Sequence, residues 1–101
     1  MMIDMKHALA AGTLLAAAAC AQAEVTQIRV WAAACANCHG TMGKAEPGMD
    51  SLAGRDKDEL LQKMLDFKSG KRPATLMHQL SKGYTDAQLQ ELAAYFAHLK
   101  K

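Results

Sequence analysis

Two cysteines and a histidine within five residues, Cys35-Ala36-Asn37-Cys38-His39, limit what this chain can become more than any other feature of it. Thiols three positions apart lie about one helical turn from each other, and the histidine follows directly. Such a triplet serves dithiol exchange, metal chelation or thioether attachment of a haem. Dithiol exchange of the thioredoxin kind asks for a strand before the motif and a mixed sheet around it. The stretch from Val25 to Ala34 is instead alanine-rich and reads as a helix. A zinc site needs four ligands, and only His78 or His98 remains to complete one, with Cys38 and His39 an awkward adjacent pair. Haem attachment suits the spacing. The two thiols add to the two vinyl groups on one edge of a porphyrin, and His39 then sits under the ring with an imidazole nitrogen aimed at iron.

The chain has 101 residues and three cysteines, an odd number that needs explaining. Residues 1–23 explain it. Lys6 and His7 make a modestly positive start, weakened by Asp4, and Ala8 to Ala19 carries no charge. Ala21-Gln22-Ala23 then supplies the small-x-small pattern of a signal-peptidase site. The apolar run is too short for a membrane-spanning helix, which takes about 20 residues, and it lacks the polar face of an amphipathic one. Residues 1–23 therefore read as a secretory signal, cleaved before Glu24, with residues 24–101 as one domain. Cys20 as a lipidated terminus ranks below plain cleavage, because Ala17 stands where lipoprotein processing usually has leucine. Cleavage removes Cys20 and leaves Cys35 and Cys38, which export to the periplasm of a Gram-negative bacterium would place in an oxidising compartment.

Loss of the leader takes one lysine and one aspartate, so the formal charge stays at +2. That balance points neither to nucleic acid nor to an acidic tail, and nothing after residue 23 is apolar enough to span a membrane. The pattern is all-helical. A first helix is expected from about Val25 to Asn37, and a second from an Asp56 cap, with Glu59 as its box partner, to Gly70. A short one should cover Ala74–Lys82 and stop at Gly83. The last opens on a Thr85/Gln88 capping box and carries Leu89, Leu92, Ala93, Phe96 and Leu99 as an apolar stripe. Gly40 to Arg55 is long for a structureless connection, which suggests a functional loop beside the haem.

Four methionines follow the leader, and position separates them as candidates for the iron's second axial ligand. Met42 is three residues past His39 and tethered to the same face, Met49 is still near that face, and Met64 lies in an apolar helical stripe where core filling is expected. Met77 is far enough along the chain to approach from the opposite side and is the sixth ligand expected here, with His78 as its rival. Pro47, inside the loop, is the candidate whose carbonyl would take the other ring N–H of His39 and fix its tautomer. Lys44, Lys63, Lys68, Lys71, Arg72 and Lys82 are candidates to ring an exposed haem edge and steer an acidic partner.

Taken together, Cys35-Ala36-Asn37-Cys38-His39-Gly40, Pro47, Leu52-Ala53-Gly54, Met77 and Leu92-Ala93-Ala94-Tyr95-Phe96-Ala97 resemble the class I cytochromes c, small monohaem electron carriers. The resemblance implies about four helices wrapped around one covalently bound haem c. It also implies that the first and last helices cross, with Trp31 and Phe96 or their neighbours at one interface. Within the family, Phe67–Met77 and Ser81–Asp86 look like segments of the haem subunit of flavocytochrome c sulfide dehydrogenase. That likeness implies a sulfide-oxidising flavoprotein as the partner that passes electrons to this haem. The loop departs from the family pattern at Glu46, where glycine is usual, and at Asp50, where a second proline is usual.

With His39 and Met77 on the iron, no site stays open for substrate, so one-electron transfer without a catalytic residue is expected. A free-standing carrier between respiratory or photosynthetic complexes is the alternative. A gas-binding or peroxidase-like protein would need an open sixth position.

Overall fold

The computed structural model describes residues 25–101; the leader read at residues 1–23, Cys20 included, lies outside the described residues. Among the described residues four helices form: α1 over residues 25–39, α2 (Lys57–Ser69), α3 (Met77–Lys82) and α4 (Asp86–His98), with a short 3-10 turn at Thr41–Gly43. No strand occurs among the described residues. This is the all-α architecture expected from the sequence.

Helix α1 runs two residues beyond Asn37 and carries the whole cysteine–histidine motif. Gly40 N–H still closes onto the Ala36 carbonyl at 3.0 Å, so the helical ladder reaches the motif's end. Gly40 then stops it with a φ of 85°. A side chain there would collide with the Lys44 carbonyl, so both dihedral and space require glycine.

Asp56 caps α2 by accepting the Glu59 N–H at 2.9 Å, and Gly70 ends it in the left-handed conformation. Only half of the expected capping box forms. The Glu59 carboxylate turns instead to Arg55 at 2.7 Å and Lys63 at 2.9 Å, the latter being the anticipated i,i+4 pair. Helix α3 starts at Met77 rather than Ala74, because the chain is still turning away from α2, with Arg72 N–H tied back to the Asp66 carbonyl at 3.1 Å. The Thr85/Gln88 box of α4 is complete, with bonds of 3.1 and 2.8 Å.

The helices meet in one small core. Ala32 of α1, Leu60 of α2 and Leu92, Ala93 and Phe96 of α4 are buried together, with Trp31, Met64 and Tyr84 packed against them. Met64 thus fills the core, as its place in the α2 stripe implies. Trp31 and Phe96 share this cluster, yet the ring that Trp31 meets edge-on is Tyr84, at 6.5 Å between centroids. The buried apolar residues are few, and three of them are alanines (Ala32, Ala53 and Ala93). A core this thin supplies only about 3–5 kcal/mol in a domain of this size, so a bound group has structural work to do.

Candidate haem site

The last turns of α1 present Cys35 and Cys38 as two free thiols, Cys38 exposed and Cys35 half-buried against the core. Burial pushes the Cys35 thiol above its ordinary pKa, and its Sγ faces the Trp31 carbonyl at 3.7 Å. Tyr84 is also raised by burial, with Cys35 as a second, electrostatic cause. A thiol one helical turn from its neighbour, neither joined in a disulfide, is free to form a thioether.

His39 closes α1, and its Nδ1 lies 2.6 Å from the Asp50 carbonyl oxygen. A carbonyl only accepts, so Nδ1 carries the proton and Nε2 is left as the metal-facing nitrogen. The bond corrects the expectation for Pro47, and the loop's geometry gives the reason. Met49 N–H bonds the Glu46 carbonyl at 3.2 Å, which closes a turn with Pro47 and Gly48 at its outer corner. Gly48 has the positive φ (97°) that such a turn requires at its third residue. Pro47 is exposed, and the carbonyl that reaches His39 belongs to the first residue after the turn.

Both sides of that carbonyl are anchored. Ser51 Oγ accepts the Ala45 N–H at 2.9 Å, and Leu52 and Ala53 N–H groups share the Gly43 carbonyl at 2.8 and 3.1 Å. Gly54 N–H reaches the Phe96 carbonyl of α4 at 2.9 Å. The Leu52-Ala53-Gly54 phrase is thus the hinge that ties the haem loop to the last helix. Sequence reasoning missed Asp50 and Ser51 because one acts through its backbone and the other through a single local hydroxyl contact.

Cys35, Cys38, His39 and Asp50 form one group at the end of α1, whereas Met77 opens a separate element, α3. Met77 is half-buried, with Leu76 and Leu80 beside it 59% and 53% exposed, an apolar surface of the kind a haem covers. Met42 and Met49 are exposed. His98 is exposed and His78 is half-buried, with its Nδ1 buried without a hydrogen-bond partner, as is the Ser81 hydroxyl. Of the six cations read as a possible docking ring, Lys63 is held by Glu59 and Lys68 by Asp86 at 2.8 Å, so Lys44, Lys71, Arg72 and Lys82 remain outside the ion pairs of the described residues. Among those residues no group of three or more His, Cys, Asp or Glu side chains gathers as a metal chelate, and no helix is long and apolar enough to cross a membrane.

A pair of free thiols on one helical turn, followed by a histidine with one nitrogen held and the other available, fits a covalently attached haem and defines a c-type cytochrome. The chain belongs to the family described as cytochrome c oxidase, cbb3-type, subunit III, which residues 26–96 match. It is 37% identical over 67 residues to the cytochrome subunit of sulfide dehydrogenase of Chlorobaculum tepidum, a match covering 66% of this chain and 61% of that protein. Cytochrome c4 of Pseudomonas aeruginosa is 41% identical over 70 residues, 68% of this chain and 35% of that protein. Among solved structures, cytochrome c4 of Acidithiobacillus ferrooxidans superposes with a TM-score of 0.63 at 38% identity, covering 65% of this chain and 38% of that one. The chain spans less than two thirds of the length of these relatives. The class I cytochrome c fold, haem c and electron carriage expected from the sequence are those of this family.

Proposed function

We propose that the chain is an exported, periplasmic monohaem cytochrome that accepts single electrons from a sulfide-oxidising flavoprotein, as the haem subunit of that assembly. The observation that carries the electron-transfer part is the Cys35–Cys38–His39 group at the end of α1, with His39 Nδ1 fixed by the Asp50 carbonyl. Haem c, when attached, supplies an iron that takes up and releases one electron. In this reading Cys35 and Cys38 would tether the group and His39 and Met77 would ligate its iron, the Met77 thioether raising the reduction potential. An iron so ligated would have no open position at which to activate a substrate. Support for the flavoprotein partner is the likeness to a sulfide dehydrogenase cytochrome subunit, together with the resemblance read in the Phe67–Met77 phrase. Lys44, Lys71, Arg72 and Lys82 would steer an acidic partner surface.

The test is a Met77→Ala variant of the holoprotein. It should lose the thioether-to-ferric-iron charge-transfer band and fall in potential; an unchanged band moves the ligand elsewhere. High-spin, five-coordinate ferric iron in the unmodified protein would instead support a gas-binding or peroxidase-like role. Purification from the native host should bring down a flavoprotein, and an N-terminus at Glu24 would establish the cleavage. Recovery as a lone monomer would favour the free-standing carrier.

A further inference from the structure

Lys44, Arg55 and Lys101 line a single cleft of about 340 Å³, together with Ser51 and Ala53. Three cations and a hydroxyl face this space, and no carboxylate side chain is among its lining residues. The backbone puts them there. Lys44 caps the 3-10 turn, with its N–H on the Thr41 carbonyl at 3.2 Å, while Ala53 is drawn to the same turn by the Gly43 carbonyl. Gly54 completes the wall. A Cβ on it would stand 2.6 Å from the Lys101 Cγ and 3.1 Å from the Leu99 carbonyl, so the missing side chain is what lets the Lys101 stem lie in place.

The donors are largely uncommitted. Lys44 and Lys101 belong to none of the ion pairs among the described residues. Arg55 gives one nitrogen to Glu59 at 2.7 Å, the carboxylate tied to this wall, and keeps the rest of its five N–H donors. Ser51 Oγ accepts from Ala45 N–H, which leaves its own proton to donate. The Glu59 carboxylate and the backbone carboxylate of Lys101 offset part of the positive charge around the cleft, and the remainder, with a guanidinium fork that matches the geometry of an oxoanion, favours an anion there. The cleft has room for such an ion.

We propose that this cleft is a binding site for a small divalent oxoanion of the sulfate class, held by Arg55, Lys44 and Lys101 over the Ser51 hydroxyl. It is separate from the thiols and His39, although Ser51 adjoins the Asp50 carbonyl.

The test is a titration of the isotope-labelled, reduced holoprotein with sodium sulfate, ionic strength being held constant with sodium chloride. Saturable one-site shifts should appear at the Ser51, Ala53 and Arg55 amides. Lys44→Gln and Lys101→Gln should each weaken binding by about threefold, and together by about tenfold, whereas a Lys71→Gln/Arg72→Gln control outside the cleft should leave it unchanged. Linear shifts, equal shifts in chloride alone, or undiminished binding in the double lysine variant would overturn the proposal. Because both lysines are exposed, these variants leave the fold in place. The readout is independent of electron transfer, so its failure and that of the function proposed above are distinguishable.

Discussion

His39 Nδ1 donates to the Asp50 carbonyl across 2.6 Å, eleven residues along the chain, and the hydroxyl of the next residue, Ser51, holds that carbonyl's loop to Ala45. Ser51→Ala should therefore cost about 1 kcal/mol of stability. It should also loosen the His39 bond, lower the ligand's basicity and raise the reduction potential. Pro47→Ala should leave the potential where it is. Denaturant unfolding and spectroelectrochemistry on the two variants would separate the roles.

Met42 has a φ of 57°, the only positive value at a non-glycine residue among the described ones, and its side chain is largely exposed. Asparagine tolerates this region better than methionine does. Met42→Asn should stabilise the holoprotein by about 0.5–1 kcal/mol, visible as a higher urea midpoint with an unchanged slope.

Only seven apolar residues are buried among the described ones, three of them alanines. Replacing Cys35 and Cys38 together by serine should abolish the covalent haem mass, and most of the helical circular dichroism should go with it. Retention of the full helical signal would show that the haem is dispensable for folding.

Glu59 accepts from Lys63 and Arg55 and is held below its ordinary value near 4.5, first by the Lys63 bond. A lowered folded-state pKa means stabilisation present above the unfolded value and lost as pH falls through the folded one. The difference in melting temperature between the protein and Glu59→Gln should thus be small and positive at neutral pH. It should shrink to nothing as pH falls below about 4. An undiminished difference at pH 3 would contradict the pairing.

Lys71 and Arg72 sit in the bend before Met77 and are free of ion pairs, whereas Lys63 and Lys68 are engaged. Reversing Lys71 and Arg72 to glutamate should slow association with an acidic redox partner by about tenfold at low salt and flatten its salt dependence. Lys63→Glu should do much less. Stopped-flow reduction across a salt series measures both.

The helices were readable where local chemistry decides them. Asp56, Gly70 and the Thr85/Gln88 pair mark ends through contacts within a few residues, and the Leu89–Phe96 stripe follows from helical spacing alone. The motif itself was readable because its chemistry depends on side-chain type and separation. What stayed hidden depends on backbone direction. A turn over Pro47-Gly48 hands the His39 contact to Asp50, and the side chain of Asp50 carries no trace of it. Trp31 joins the Phe96 cluster as expected, but its edge-on ring partner stayed hidden for a related reason: Tyr84 lies outside any periodic stripe, between α3 and α4, and only the packed chain brings it over.

The ring of Phe96 lies where a side chain on Gly43 would stand, 2.9 Å from its Cβ position, and the carbonyl of Phe96 receives the Gly54 N–H. Both ends of the segment that seats His39 are thus fastened by one residue near the end of the chain. A polypeptide is made from its N-terminus, so Cys35, Cys38 and His39 emerge well before Phe96 arrives. Until then the segment has nothing to close against. The shape of the loop that seats His39 is therefore settled by the last helix to be made, not by the motif's own neighbours in sequence.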